Sequence, residues 1–301
     1  MAAGAIQMNA GDAFVCAGVE SMSRVPMSGF NPMPNPDLYE SNPGAYMAMG
    51  QTAENLAQKY QITREDQEAF AVVSQKRAAA ARAEGRLRDE IVPVSDDGSE
   101  VSEDGCIRPD TDAQGLSGLR PAFSVDGSVT AGTSSPLTDG AAACWVASEA
   151  GLAHFSDRAA RARLVDWEQA AVDIARDGLL MAPAIAIPRL LARHDLGYVE
   201  IDLWEIHEAF AGQVLATIRA LEDEEWVRER AGIDRELGSV PMDHVNPNGG
   251  SVALGHPFAA TGARLLSQAA LELADMSAGS RAVVSVCAAG GLGHVALLEA
   301  I

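Results

Sequence analysis

Three segments of the chain combine residue types that can move protons or hold an oxyanion. The first, Asn246-Pro-Asn-Gly-Gly-Ser-Val-Ala-Leu-Gly-His-Pro-Phe-Ala-Ala-Thr-Gly262, sets a glycine-rich loop and a histidine before a helix predicted to begin at Pro257. Proline favours a first helical position because the N–H it lacks would be unpaired there anyway. Glycines let a substrate approach the backbone closely, and the positive end of the helix dipole disfavours an imidazolium at His256, leaving a neutral base or donor. The same position equally suits a histidine that only caps the helix.

Cys287-Ala-Ala-Gly-Gly places a thiol at the end of an apolar strand, followed by backbone N–H groups that could line an oxyanion site. A thiol there can exchange a proton with carbon if its neighbours move its pKa. Inert packing is the alternative for a buried cysteine. His207-Glu-Ala-Phe follows the strand 201–206 and is expected to open a helix. His207 then lies at a strand's carboxyl end, where α/β sheets bind ligands, and could donate to a carbonyl oxygen or simply cap the helix.

The elements that must position these groups follow from hydrophobic period and turn chemistry. Residues 162–166, about 203 and near Val245 read as strands, and 184–192 and 209–220 as helices, a β/α alternation that predicts a largely parallel sheet covered by helices. Ala282-Val-Val-Ser-Val-Cys287 and His294-Val-Ala-Leu-Leu-Glu299 form a closing hairpin through the Gly290-Gly291-Leu292-Gly293 turn. In the first half, Ala2 to Asn9 read as the end of a helix, and Ala13 to Gly18 and Ala141 to Ala147 as two apolar strands, the second buried. The two resemble the closing pair, as a duplicated α/β domain would require. Between them, residues 24–50 carry five prolines and read as irregular loop, followed by a helix from Thr52. Thr63-Arg-Glu-Asp is a capping box for a second helix that runs to about Ala83 and is stopped by Gly85. Residues 91–130, with Asp96-Asp97-Gly98, Glu103-Asp104-Gly105 and Asp126-Gly127, suit an acidic surface excursion, so 25–130 reads as an insertion between two strands of one sheet.

Composition narrows the function. With 22 Lys+Arg against 42 Asp+Glu the net charge is −20, which repels phosphate backbones and argues against nucleic-acid partners. Four cysteines without a CxxC pair fit neither a disulfide framework nor a zinc site, and point to a reducing compartment. No apolar run reaches the ~18 residues of a membrane span, and the first residues lack the pattern of a signal peptide, so a cytoplasmic, soluble protein is expected.

The three segments follow Gly18-Val-Glu-Ser-Met-Ser23, Met49-Gly-Gln-Thr-Ala-Glu-Asn55, Leu119-Arg-Pro-Ala-Phe123 and Thr130-Ala-Gly132 in that order, and together they closely resemble the thiolase family. The resemblance runs from Ala2 to Ile301 and is most specific in the pairing of Gly-His-Pro with Cys-Ala-Ala-Gly-Gly. It is strongest to the degradative 3-ketoacyl-CoA thiolases that form the beta subunit of fatty-acid-oxidation complexes, the trifunctional type. His207-Glu-Ala-Phe-Ala-Gly-Gln213 carries that likeness, since other thiolases usually have Asn in the first position.

The resemblance implies an α/β fold of two βαβαβαββ domains in an αβαβα layering, with a loop domain inserted in the first. Residues 1–24 and 131–150 would belong to the N-terminal domain, 25–130 to the loop domain and 151–301 to the C-terminal domain. The implied reaction cleaves a 3-ketoacyl-CoA with CoA to acetyl-CoA and a shortened acyl-CoA. On matching positions His256 would activate the nucleophile, Cys287 would carry the proton to and from the enolate carbon, and His207 would hold an oxyanion-site water. Backbone N–H groups at Ala289 and Gly290 would serve the other oxyanion hole. Arg120 would contact the CoA nucleotide, and Met49 and Met181 would line the acyl end. CoA is a cosubstrate, and no cofactor, metal or nicotinamide is implied. The family assembles as dimers or larger, and this branch pairs with a hydratase/dehydrogenase alpha subunit.

Two departures accompany the resemblance. The family's nucleophilic cysteine lies in an Asn-x-x-Cys-x-Ser-Gly motif, which these residues do not contain; the expectation is a chain truncated at its N-terminus and inactive as written. Asp166-Trp-Glu-Gln169 stands where many thiolases carry a small-residue CoA-binding stretch. The alternatives are a catalytically inactive CoA-binding or scaffold subunit of the same fold, and a biosynthetic acetoacetyl-CoA thiolase.

Overall fold

A computed structural model describes residues 1–96, 98–155 and 161–301, so Asp97 of the expected Asp96-Asp97-Gly98 turn lies outside the described residues. The first element, α1 (Ala2–Gln7), leads into β1 (Ala13–Ser21), which pairs antiparallel with β4 (Asp139–Ala147). β1 continues past the expected end at Gly18, because Gly18 is itself paired with Ala142.

The chain between these strands is richer than the loop its prolines suggest. Asn35 caps α2 (Pro36–Ser41), with Pro36 in the first turn, and α3 (Met49–Lys59) begins three residues before Thr52. α4 (Arg64–Ala83) starts at the expected capping box: Thr63 Oγ1 accepts from the Asp66 N–H, and Asp66 accepts from the Thr63 N–H. A small hairpin, β2 (Val94–Asp96) and β3 (Ser99–Val101), and α5 (Ala113–Ser117) complete the excursion.

The second half contains β5 (Ala162–Ala171), α6 (Ile174–Asp177), α7 (Ala182–Arg193), β6 (Leu203–Ile206), α8 (Ala211–Leu221) and α9 (Glu224–Trp226). It continues with α10 (Ser251–Leu254), α11 (Phe258–Ala274), β7 (Arg281–Ala288) and β8 (Leu292–Ala300). The sheet order is β5-β8-β7-β6, and only β6 and β7 run parallel; β8 is antiparallel to both its neighbours. The expectation of a largely parallel sheet is therefore corrected to a mixed one, because the closing hairpin sits inside the sheet rather than at its edge. Val245 forms a single parallel bridge to Trp204 and not a strand. The hairpin turns at Ala289-Gly290-Gly291, where both glycines have positive φ, so Leu292 and Gly293 belong to β8 rather than to the turn.

One large core lies between this sheet and α7 and α8, and includes Ile187, Leu190, Leu191, Trp204 and Val214. On the sheet's other face Leu203, Val284 and Leu298 pack against Leu265, Ala269 and Leu273 of α11. The far side of α11 packs against β1 and β4. The layers are thus helices, sheet, helix, sheet, and α11 is held between two sheets. The expected burial of β4 is corrected: its residues alternate, and on the outer face Trp145 is 60% and Val19 of β1 74% exposed. The cause is the pairing, since β1 and β4 form a two-stranded sheet with one face on α11 and the other to solvent.

Candidate active site

β6 ends at Ile206, and the His207 N–H donates to the Ser285 carbonyl of neighbouring β7 at 2.8 Å. α8 starts only at Ala211, so His207 does not cap it; the residue sits in the connection beyond the strand end. Asn246 secures that end: its Oδ1 accepts from the Ile206 N–H at 2.8 Å and its Nδ2 donates to the Ile206 carbonyl at 2.9 Å. One amide side chain thereby replaces the neighbouring strand that the sequence pattern placed at Val245.

Pro257 has extended ψ and is the N-cap of α11, not its first helical residue, which moves His256 one position outside the helix. His256 is fixed from two sides. Its backbone N–H donates to Thr138 Oγ1 at 3.1 Å, and its Nδ1 lies 2.7 Å from Thr261 Oγ1. The Thr261 hydroxyl donates to the Pro257 carbonyl at 3.0 Å, so toward the imidazole it acts as acceptor. Nδ1 then carries the proton and Nε2 is left as the basic nitrogen.

The two imidazoles meet with ring centroids 4.0 Å apart and planes at 46°. His207 is fully buried, with Nδ1 at 2.9 Å from Ser251 Oγ and Nε2 without a protein partner. Burial, then His256, then Arg264 hold its pKa well below the ordinary value of 6.5. Burial and Arg264 push His256 down to about 4. These directions favour neutral rings, and for His256 the causes are burial and Arg264 rather than the helix dipole that the sequence suggests.

Cys287 lies two residues past Ser285 on β7, at the same end of the sheet as His207. Burial pushes its thiol up to about 12, so it is a proton donor at rest. The sequence segments around Met49, Phe123 and Phe210 also converge. A Cβ on Gly50 would overlap the Phe123 ring, Phe123 meets Phe210 edge-on at 5.8 Å, and Ser134 bridges Phe210. Met49 itself is half-buried at the start of α3, Arg120, Ala289 and Gly290 are exposed, and Met181 is buried in the main core.

Glu208 is the residue the sequence reading passed over, although it lies in the quoted His207-Glu-Ala-Phe segment. It is buried, and its oxygens accept from Ser74 Oγ at 2.7 Å, Asn246 Nδ2 at 2.6 Å and the Val252 N–H at 3.1 Å. Ser74 also accepts from the Gly250 N–H at 3.1 Å, tying α4 to the glycine loop. The two loop glycines are required. Gly249 has φ +78 with Ser74 O 2.6 Å from where a Cβ would stand, and a Cβ on Gly250 would overlap the Glu208 carboxylate.

Residues 1–150 match the thiolase N-terminal domain and residues 158–300 the thiolase C-terminal domain. The chain belongs to the thiolase family. It is 41% identical over 312 residues to a 3-ketoacyl-CoA thiolase of Bacillus subtilis (strain 168), covering 99% of this chain and 74% of the relative. It is 39% identical to a 3-ketoacyl-CoA thiolase of Serratia proteamaculans (strain 568), covering 92% of this chain and 63% of the relative, so it spans less than two thirds of that protein. The dimeric peroxisomal thiolase of Saccharomyces cerevisiae superposes with a TM-score of 0.85 at 32% identity, over 99% of this chain and 72% of that one. Human mitochondrial 3-ketoacyl-CoA thiolase in complex with CoA superposes with a TM-score of 0.81 at 31% identity, over 99% of this chain and 73% of that one. The thiolase fold expected from the sequence motifs is the fold of this chain.

Proposed function

We propose that this chain serves the thiolytic cleavage of 3-ketoacyl-CoA by CoA, as an acetyl-CoA C-acyltransferase. The observation that carries the proposal is the pair of the buried His207 and the half-buried His256 with ring centroids 4.0 Å apart, with Cys287 at the same sheet end. Relatives named 3-ketoacyl-CoA thiolase at about 40% identity support it, as does the solved CoA complex of the human protein.

In this reading a nucleophilic thiol from the Asn-x-x-Cys-x-Ser-Gly motif, which these residues do not contain, bonds to the 3-keto carbon and would become the acyl thioester; His256 Nε2 accepts its proton, and Thr261 steadies the imidazolium through Nδ1–H. Cleavage of the carbon–carbon bond leaves an acetyl-CoA enolate, which takes its proton from the Cys287 thiol. The resulting Cys287 thiolate takes the proton of the incoming CoA thiol as that sulfur attacks the acyl thioester, and the thiolate expelled from the thioester regains its proton from the His256 imidazolium, so both protons are back where they began after one turnover. His207 Nε2, without a protein partner, is available to the oxyanion-site water. Ala289 and Gly290 N–H groups serve the other oxyanion, and Arg120, Met49 and Met181 contact CoA and the acyl chain. Residues 1–24 and 131–150, 25–130, and 151–301 act as N-terminal, loop and C-terminal domains. The relatives support a CoA-binding homodimer; the branch assignment adds a hydratase/dehydrogenase partner.

A second reading, a CoA-binding subunit without the covalent step, is favoured by one observation. None of the four cysteines stands in an Asn-x-x-Cys-x-Ser-Gly motif. Acetyl-CoA release from a 3-ketoacyl-CoA and CoA, followed by chromatography, separates the two. Turnover abolished by His256→Ala supports thiolysis, whereas calorimetric CoA binding with no turnover supports the second reading.

A further inference from the structure

The histidine beyond β6 is oriented from outside its own element. His207 Nδ1 lies 2.9 Å from Ser251 Oγ, and Ser251 opens α10, a helix of about one turn. The next residue, Val252, has its backbone held on both sides. Its N–H donates to Glu208 Oε2 at 3.1 Å, and its carbonyl accepts from Gln75 Nε2 at 3.3 Å. Because His207 and Glu208 are successive residues, and so are Ser251 and Val252, the two contacts close a ring whose size is set by covalent neighbours.

Both holders of Val252 lead to α4. Gln75 lies on that helix, and its Oε1 accepts from the Arg108 N–H at 2.7 Å, which leaves Nε2 directed at Val252. Ser74, the preceding residue, donates to Glu208 Oε2 at 2.7 Å, and its hydroxyl oxygen accepts from the Gly250 N–H at 3.1 Å. The backbones also meet, since a Cβ on Gly249 would stand 2.6 Å from the Ser74 carbonyl oxygen and 2.7 Å from Ala78 Cβ. Ser74, Gln75, Glu208 and Ser251 are all buried, so a bond lost among them is not replaced by one to bulk water. The Glu208 carboxylate answers three donors at once, from Ser74, Asn246 and Val252. Asn246 cannot turn its amide round, because both ends of it are already bonded to the Ile206 backbone.

We propose that α4 positions His207: Ser74 and Gln75, acting through Glu208 and Val252, set the Ser251 hydroxyl against the His207 ring. The proposal deepens the thiolase reading and rests on it for its catalytic meaning. It gives the excursion between β1 and β4 a part in aligning a histidine that it does not touch. Glu208→Gln is the informative change. The glutamine keeps the shape but sets one acceptor oxygen and one NH2 group before three donors, so one of the three contacts is lost.

The test is 15N nuclear magnetic resonance of the histidine rings in the full chain, with thiolysis kinetics measured in parallel. Ser251→Ala supplies the signature of a His207 ring released at Nδ1. Glu208→Gln should move the His207 ring signals in the direction that Ser251→Ala does, and Ser74→Ala should move them the same way by less. The rings of His244 and His294, held by the Ile201 carbonyl and by Gln169, should stay in place. In the kinetics Glu208→Gln is expected to lower kcat about tenfold and to change KM less than about twofold, as misalignment of a catalytic group would. In a His207→Ala background the same substitution should lower kcat less than about twofold, because an effect that passes through His207 vanishes with it. A folded Glu208→Gln protein with wild-type His207 signals overturns the proposal, as does one in which all the rings move together or in which kcat falls equally with and without His207. Should Glu208→Gln not fold, Ser74→Ala decides by the same spectrum, and an unmoved His207 ring there overturns the proposal. Ring signals that move as expected in proteins without thiolysis would leave the positioning role standing and the thiolase reading overturned.

Discussion

Thr261 and His256 are joined by a 2.7 Å hydrogen bond in which the imidazole Nδ1–H is the donor, because the threonine hydroxyl is already given to the Pro257 carbonyl. The first turn of α11 therefore chooses the tautomer of the histidine that precedes it. Thr261→Val keeps the shape and removes the acceptor, so Nδ1 loses its partner in a buried setting. A loss of about 1.4 kcal/mol, or about tenfold in kcat, is expected. Thr261→Ser should retain most of the rate. Steady-state kinetics of both variants check this, and an undiminished Thr261→Val would show that the tautomer is set elsewhere.

The same burial that keeps the site histidines neutral makes the fold sensitive to acid. His256 titrates near 4 in the folded chain against 6.5 ordinarily, so between these values the unfolded state binds the additional proton. Its contribution is present above 6.5 and is lost as pH falls toward about 4, with a slope reaching about 1.4 kcal/mol per pH unit. His256→Gln removes this term. Denaturant titrations at pH 7 and pH 5 should show wild type losing more stability over that interval than the variant does. The raised carboxyl of Glu90 acts in the opposite direction but equally in both proteins.

Cys287 and the other cysteines should separate cleanly under alkylation. Cys287 is buried with its thiol raised to about 12, whereas Cys16 and Cys106 are half-exposed. Iodoacetamide at neutral pH, read by peptide mass mapping, is expected to modify Cys16 and Cys106 well before Cys287. Preferential labelling of Cys287 would mean an ionised, accessible thiol, and the donor role at rest would be withdrawn.

The residues of the candidate site were legible in the sequence because they lie in short contiguous strings, and the structure brings His207 and His256 together with Cys287 at the same sheet end. The pairing partners were not, since they come from distant chain. Thr138 reaches the His256 N–H and Ser74 reaches Glu208, and neither threonine nor serine announces a buried partner by its spacing. Helices with strong caps were placed well, as at Thr63. The strand near Val245 failed because Asn246 side-chain bonds do the work of a ladder there, and a single bridge looks in sequence like a strand. The buried reading of β4 failed because apolar content does not tell how many neighbours a strand finds: alanines, Cys144 and Trp145 make an apolar run whichever face is covered.

The contact between the N-terminal strands and α11 gives the sharpest steric prediction, because two glycines are used for one close approach. A Cβ on Gly18 of β1 would overlap the carbonyl of Ala259, and one on Gly140 of β4 would stand 2.8 Å from Pro257 Cγ. Both obstacles belong to the turn that follows His256, and the first is helix backbone that cannot rotate away. Gly18→Ala should therefore cost about 1–3 kcal/mol, as overpacking does, and should weaken thiolysis by displacing His256. Gly140→Ala meets only a proline ring and should cost less. Gly262, in the same helix, is the control: nothing lies within 4 Å of its Cβ position, so Gly262→Ala should stabilise by about 0.5–1 kcal/mol through helix propensity. Chemical denaturation of the three variants orders them. A Gly18→Ala protein as stable as Gly262→Ala would mean that β1 does not rest on α11 at this point.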